Sequence, residues 1–440
     1  MENEEEKMIA SNNLSLVNYR IFSFLLITAC LLSPFYTLRI GNILFTISDF
    51  LFLLTIFYLF IIKGFYFNKQ VLLYYSPLFF GVFLIVFGHS VSVIINGFSD
   101  DLITEPLQYL FVYLLLPFIL ISANEDTILR SIKAYVWGIS LVILIGAILL
   151  LFLPDVYKTL ESHGIFIGIS RMGSFLGANG LAKTVALSIP LLFLIRKIGL
   201  IKKITFYFFS IIFLIGILLS SSYGGSIAAI ISLIVTFSLN FLISKKKNII
   251  LDLLKYFIYL LLFIVVFSFF LYLDNKLEWN LTSGFQERII NVLVSQEVNE
   301  AGSYLIKLDL MRDAIEIISQ NPIIGMGPGN YLEQSIYSQN VHNAYLGLWV
   351  ESGLFSIVGL LIILLTSIFY SLISLSSKTR KLRIYGMTAF VVTLILCINL
   401  FTDTTVYVRS TILPMLVLFS LVVKSLYIER KNIRMTNKQI

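Results

Sequence analysis

Charge is what this sequence has least of. Only 13% of its 440 residues are Asp, Glu, Lys or Arg, whereas 58% are hydrophobic, and the mean hydropathy is +0.92. Soluble globular chains carry about 25% charged and about 45–50% apolar residues. The imbalance excludes a soluble enzyme, a disordered chain and a nucleic-acid-binding domain, so no nucleic-acid partner is expected. Cysteine is nearly missing. Cys30 and Cys397 both fall inside apolar runs and give neither a metal-ligand spacing nor a disulfide framework. The histidines, His89, His163 and His342, are too dispersed for a metal site. There is no P-loop, no GxGxxG after a strand, no HExxH and no nucleophile elbow. No metal or other cofactor is expected. The N-terminal MENEEEKMIASNNLSLVNYR has neither the basic start nor the small-residue cleavage site of a signal peptide, so it is expected to stay in place.

Long apolar runs fill the rest. A membrane-spanning helix needs about 20 apolar residues. Runs near 21–38, 44–62, 71–95, 105–122, 132–153, 180–195, 204–220, 225–243, 250–273, 344–372, 384–402 and 408–427 predict an all-α polytopic membrane protein of about twelve spans. The 344–372 run is long for one crossing, which predicts tilt or a start above the lipid. Lys and Arg concentrate in cytoplasmic loops of membrane proteins. Here 23 of the 32 alternate consistently onto one side, which places both termini in the cytoplasm and accounts for the net charge of +7. The expected organisation is a tail at 1–20, spans one to nine over 21–273 with an outer loop at 154–179, a large outer loop at 274–343, three spans over 344–427 and a tail at 428–440. Loops this long usually carry function. Inside the larger one, SYLIKLDLMRDAIEIISQ predicts an amphipathic helix with Leu308, Met311, Ile315 and Ile318 on one face, ended by Asn321-Pro322.

Candidate chemistry gathers at the outer side. NPIIGMGPGNY, Asn321 to Tyr331, contains Gly325, Gly327 and Gly329. These suit first a loop that needs positive φ angles, and second a backbone that approaches a ligand. His342 and Asn343 stand just before the tenth span. An imidazole with an ordinary pKa near 6.5 suits proton transfer, though a His at a membrane interface also serves as an anchor or cap. Glu351, nine residues on, needs a partner or a wet cavity at that depth. Arg171, Arg288, Lys307, Arg312 and Arg409 are cations on the side that disfavours them. They are candidates for holding an anion such as a diphosphate, or for salt bridges with Glu287, Asp309 or Asp313.

The stretch from about Lys307 to Leu361 resembles the signature region of the O-antigen ligase and O-antigen polymerase family. The shared pattern is NPxxGxGxGxY followed by HNxYLxxxxExG, carried here by Asn321, Pro322, Gly325, Gly327, Gly329, Tyr331, His342, Asn343, Tyr345, Leu346, Glu351 and Gly353. RMGSFLGANGLA, Arg171 to Ala182, is similar to a second family segment. Two departures stand out. The family often has Arg where this chain has Lys307, and Ser-Arg-Gly where it has Ser222-Tyr223-Gly224.

The resemblance implies a GT-C-type membrane glycosyltransferase with a large helical outer loop. It implies a donor oligosaccharide linked to polyisoprenyl (undecaprenyl) diphosphate, and work on the outer face of the bacterial inner or plasma membrane among its lipids. It implies a catalytic His342. The cations Arg171, Arg288, Lys307, Arg312 and Arg409, with Gly327, Gly329, Asn343 and Glu351, would bind substrate, without metal. A repeat-unit polymerase for O-antigen, capsule or exopolysaccharide is the first expectation. A ligase that transfers finished glycan to lipid A core or protein is the second. A chain-length regulator protein is an expected partner. A twelve-span secondary transporter is the alternative from another class, but no related halves are visible.

Overall fold

The computed structural model describes residues 16–35, 37–40, 43–62, 68–97, 104–166, 171–243, 304–335, 337–403 and 406–437, with Ser268, Tyr272 and Lys276. The expected ninth span at 250–273 and most of the large loop before residue 304, Arg288 included, lie outside the described residues.

The chain is a multi-pass helical membrane protein. The first helix, α1 (Leu16–Leu32), ends before a two-stranded antiparallel hairpin, β1 (Thr37–Ile40) and β2 (Ile43–Thr46), in which Thr37 faces Thr46. The spans expected at 21–38 and 44–62 therefore shift: their adjoining ends form the hairpin. Thr46 starts α2 (Ile47–Ile61) with a capping box. Its side chain accepts from the Asp49 amide while Asp49 accepts from the Thr46 amide. Asn68 caps α3 (Lys69–Asn96). The fourth span is α4 (Thr104–Leu110), a π-helical turn (Phe111–Leu115) and α5 (Leu116–Ser122). Asn124 caps α6 (Glu125–Phe152), and a short helix, α7 (Pro154–Ser162), follows. Then come α8 (Ala178–Lys197), α9 (Lys203–Ser220) and α10 (Tyr223–Ile243). After the undescribed stretch stand α11 (Tyr304–Gln320), α12 (Asn330–Gln334), α13 (Ala344–Leu375), α14 (Arg380–Leu400) and α15 (Arg409–Asn437). Among the described residues, nine helices are long and apolar enough to cross a membrane, and α1 and α2 are shorter apolar helices.

Burial sorts these helices. The apolar stretch of α8 is 83% buried and that of α15 78%, against 33% for α10, so α8 and α15 form the centre and α10 lies on the rim. Contact between spans gains little from the hydrophobic effect in lipid and depends on close packing of small residues. α3 and α13 meet that way. A Cβ on Gly81 would lie 2.6 Å from the Gly359 carbonyl oxygen, and one on Gly88 would lie 2.4 Å from Ser356 Oγ. Ser356 also donates to the Ile85 carbonyl at 3.1 Å.

α11 forms where the sequence predicts it, but its buried face differs. Leu310, Ala314 and Ile318 are buried with Met326, Tyr331, Val341 and Val350 in a small separate core, and Met311 packs against its edge. Ile315 is 55% exposed. The helix has apolar residues on two sides, and the side that faces Tyr331 and Val350 is the one that closes.

Candidate active site

The glycine loop and the start of α13 are built into one another. α13 is interrupted at Gly353, whose φ of +72° and ψ of −171° are not helical. The break frees backbone groups, and the loop from Pro322 supplies their partners. Met326 N donates to Val350 O at 2.8 Å, Gly327 N to Glu351 O at 3.1 Å, and Leu354 N to Ile323 O at 3.0 Å. Trp349 Nε1 donates to Pro322 O at 2.8 Å. The approach is too close for side chains: a Cβ on Gly353 would sit 2.1 Å from Ile323 O, and one on Gly325 2.8 Å from the Glu351 carbonyl carbon. Packing thus accounts for the glycine motif. Gly327 follows the same rule, since a Cβ there would meet Asn330 Nδ2 at 2.6 Å. Gly329 adopts φ +76° at the start of α12. Both were expected at the substrate, and their visible work is to shape the loop.

Asn343, also expected to bind substrate, is the N-cap of α13. Its Oδ1 accepts from the amides of Tyr345 and Leu346 at 3.1 and 3.2 Å. The cap fixes the chain directly at His342. That imidazole is half-buried, and its pKa is lowered from the usual 6.5. Burial is the main cause, the Lys307 and Lys183 ammonium groups add to it, and Asp403 opposes them. His342 is thereby held neutral and able to accept a proton at neutral pH.

Lys183 and Asp403 escaped the sequence reading. Lys183, near the start of α8, is 4% exposed. Its Nζ donates to Thr402 O at 2.8 Å and lies 3.5 Å from Asp403 Oδ2. Asn399 Nδ2 reaches back to Lys183 O at 3.4 Å. The Ser222-Tyr223-Gly224 turn abuts the same helix. Ser222 Oγ donates to Asn179 Oδ1 at 3.0 Å, and a Cβ on Gly225 would be 2.2 Å from Ala182 Cβ. The available signal was a lysine immediately after the RMGSFLGANGLA segment, inside an apolar run.

The remaining cations separate. Arg171 is half-buried in the chain between α7 and α8, where the Tyr157 hydroxyl donates to its carbonyl at 3.3 Å. Arg312 is 77% exposed and paired with Asp309 one turn away at 3.4 Å, so it sits on a solvated face. Arg409 is buried. It is 5% exposed, with Nε 3.0 Å from Asp49 Oδ1, one terminal nitrogen 3.1 Å from Gln108 Oε1 and its guanidinium over the Phe111 ring. It ties α15 to α2 and α4 from inside the bundle. Glu351 is partly buried and lies within electrostatic reach of Tyr109 and Tyr331. Among the described residues, no group of three or more His, Cys, Asp or Glu could hold a metal ion.

His342, within electrostatic reach of Lys307 and Lys183, thus stands at the head of a helix that is broken at Gly353 and bonded there to the glycine loop. Residues 206–364 match the family described as O-antigen ligase. Its members are glycosyltransferase-like enzymes that use lipid-linked oligosaccharides. The matched region runs from α9 to the middle of α13 and includes the glycine loop, His342 and the break at Gly353. Lys183 and Asp403 lie outside the O-antigen ligase match and come to the site through helix packing. Among curated proteins none matches the chain.

Proposed function

We propose that this chain is a repeat-unit polymerase. It joins oligosaccharides carried on polyisoprenyl diphosphate, on the outer side of a bacterial membrane, with both termini in the cytoplasm. The reading is carried by the O-antigen ligase match over residues 206–364, which takes in the glycine loop and His342, together with the electrostatic reach of Lys307 and Lys183 to that imidazole. In the reaction an acceptor hydroxyl attacks the donor's anomeric carbon. The bond from that carbon to the diphosphate oxygen breaks, and the lipid diphosphate leaves with the electron pair. His342 takes the hydroxyl proton. Lys307, Lys183 and Arg171 offset the charge that grows on the leaving group, which is the largest electrostatic demand of such a transfer. Lys183 supplies the positive charge beside Ser222-Tyr223-Gly224, where the resembling proteins carry Arg.

Asp403 is assigned to holding Lys183 in place. A chain-length regulator is proposed as a partner on the family resemblance alone. No residue role requires a metal, so activity is expected to persist in EDTA. The direct test gives the purified full-length protein a lipid-diphosphate-linked repeat unit as both donor and acceptor. Polymerase activity yields lipid-linked chains of several units. If single units stay unjoined but pass to lipid A core or a protein acceptor, the chain is a ligase.

A further inference from the structure

α3 presents a stripe of polar residues to the break in α13. His89, Ser92 and Asn96 recur at three- and four-residue spacing, which aligns them on one helix face. His89 Nδ1 shares a hydrogen bond with Ser352 Oγ at 3.1 Å. Ser92 Oγ donates to Glu351 O at 2.7 Å, and Asn96 Nδ2 donates to Gly325 O at 3.1 Å. Each of the three thus holds a different part of the joint between helix break and glycine loop.

The same ring nitrogen of His89 also lies near a carboxylate. Glu105 Oε2, at the start of α4, lies 3.9 Å from His89 Nδ1. Glu105 Oε1 accepts from the Tyr407 hydroxyl at 3.3 Å. Tyr407 is four residues past Asp403, and its ring meets Tyr109 edge-on at 5.3 Å. His89 is 1% exposed and the Glu105 side chain 20%. Ionisable groups at such depth are costly and kept where they serve function. One pair here bridges the two pieces of chain that carry the site. Ser352 follows His342 on α13, and Tyr407 follows Asp403 on the link from α14 to α15.

We propose that His89 and Glu105 are positioning residues that clamp the break of α13 to Tyr407, four residues past Asp403, and so fix His342 relative to the Lys183–Asp403 pair. The proposal rests on the transferase reading above. A side chain that only filled space would tolerate an apolar replacement. A clamp would not, because a shift of about 1 Å at reacting groups costs as much as about 100-fold in rate.

The test uses the full-length protein with a lipid-diphosphate-linked oligosaccharide. It compares His89→Leu, His89→Gln and Glu105→Gln with His342→Ala. Two quantities are read: the single-turnover rate at saturating donor, and hydrogen exchange at the amides of Met326 and Gly327. His89→Leu is expected to slow the turnover about 10- to 100-fold, with donor affinity within about twofold, and to speed exchange at both amides. His89→Gln, which can still bond to Ser352, is expected to recover most of both. A His89→Leu rate within twofold of native, unchanged exchange, or no recovery in His89→Gln overturns the clamp. Where His89→Leu does not accumulate, Ser352→Ala and Glu105→Gln carry the same test, and unchanged rate and exchange in both overturn it. If the native protein transfers no glycan, the transferase reading falls, while the exchange measurement still judges the clamp.

Discussion

At His342 the sign of the surrounding charge decides the protonation state. Burial and the Lys307 and Lys183 ammonium groups disfavour the imidazolium, so the base form persists below the ordinary pKa of 6.5. Turnover should therefore fall only when acid drives the pH below that value. Lys307→Gln removes one of the cations and makes the imidazole more basic. The acid limb of its pH–rate profile should move to higher pH, and a limb that stays or moves lower would contradict the assignment. Arg409 and Arg312 make a second contrast of like residues in unlike places. Removing Arg409 leaves Asp49, itself 1% exposed, as an uncompensated charge. Arg409→Leu should destabilise the protein by about 3–5 kcal/mol. Arg312→Ala, on an exposed i,i+3 pair, should change stability by no more than about 0.5 kcal/mol. Thermal unfolding in detergent reads both. From sequence the two arginines look alike, since each is a cation on the disfavoured side. Only the fold reveals that Asp49, 360 residues away, is the partner of Arg409.

The element that organises the site is a helix made to stop and restart. α13 gives up its own hydrogen bonding at Gly353, and the glycine loop restores it from outside. Steric contact ranks the glycines. Gly353 combines a positive φ with a Cβ position 2.1 Å from a carbonyl oxygen, whereas a Cβ on Gly180 in α8 would meet nothing nearer than Leu176 Cβ at 3.7 Å. Gly353→Ala should abolish transfer and lower the unfolding temperature. Gly180→Ala should leave stability within about 0.5 kcal/mol of native. Equal effects from the two would mean that the break is not a shaping element. The glycine spacing was legible in the sequence as a turn-rich stretch. Its partner was not, because Glu351 and Gly353 sit inside an apolar run that reads as unbroken helix. The long 344–372 run contains the break at Gly353.

Among the described residues, nine of the twelve expected spans coincide with helices long and apolar enough to cross a membrane, two fall on the shorter α1 and α2, and the expected ninth lies outside the described residues. Hydropathy makes spans visible because lipid admits only backbones that satisfy their own hydrogen bonds. The hairpin between α1 and α2 was hidden because Thr37–Ile40 and Ile43–Thr46 are apolar enough to extend their neighbours' runs. The candidate site was half legible. His342 and Lys307 stand in one signature region, but Lys183 and Asp403 are 220 residues apart in the chain and meet only because α8 and α14 pack at the bundle's centre. The central claim is that His342 joins lipid-linked repeat units. It is tested most directly by a His342→Ala strain, with membrane levels matched to native, whose lipid-linked glycans are separated by size. The account predicts single repeat units in place of long chains. Long lipid-linked chains at native abundance would contradict it.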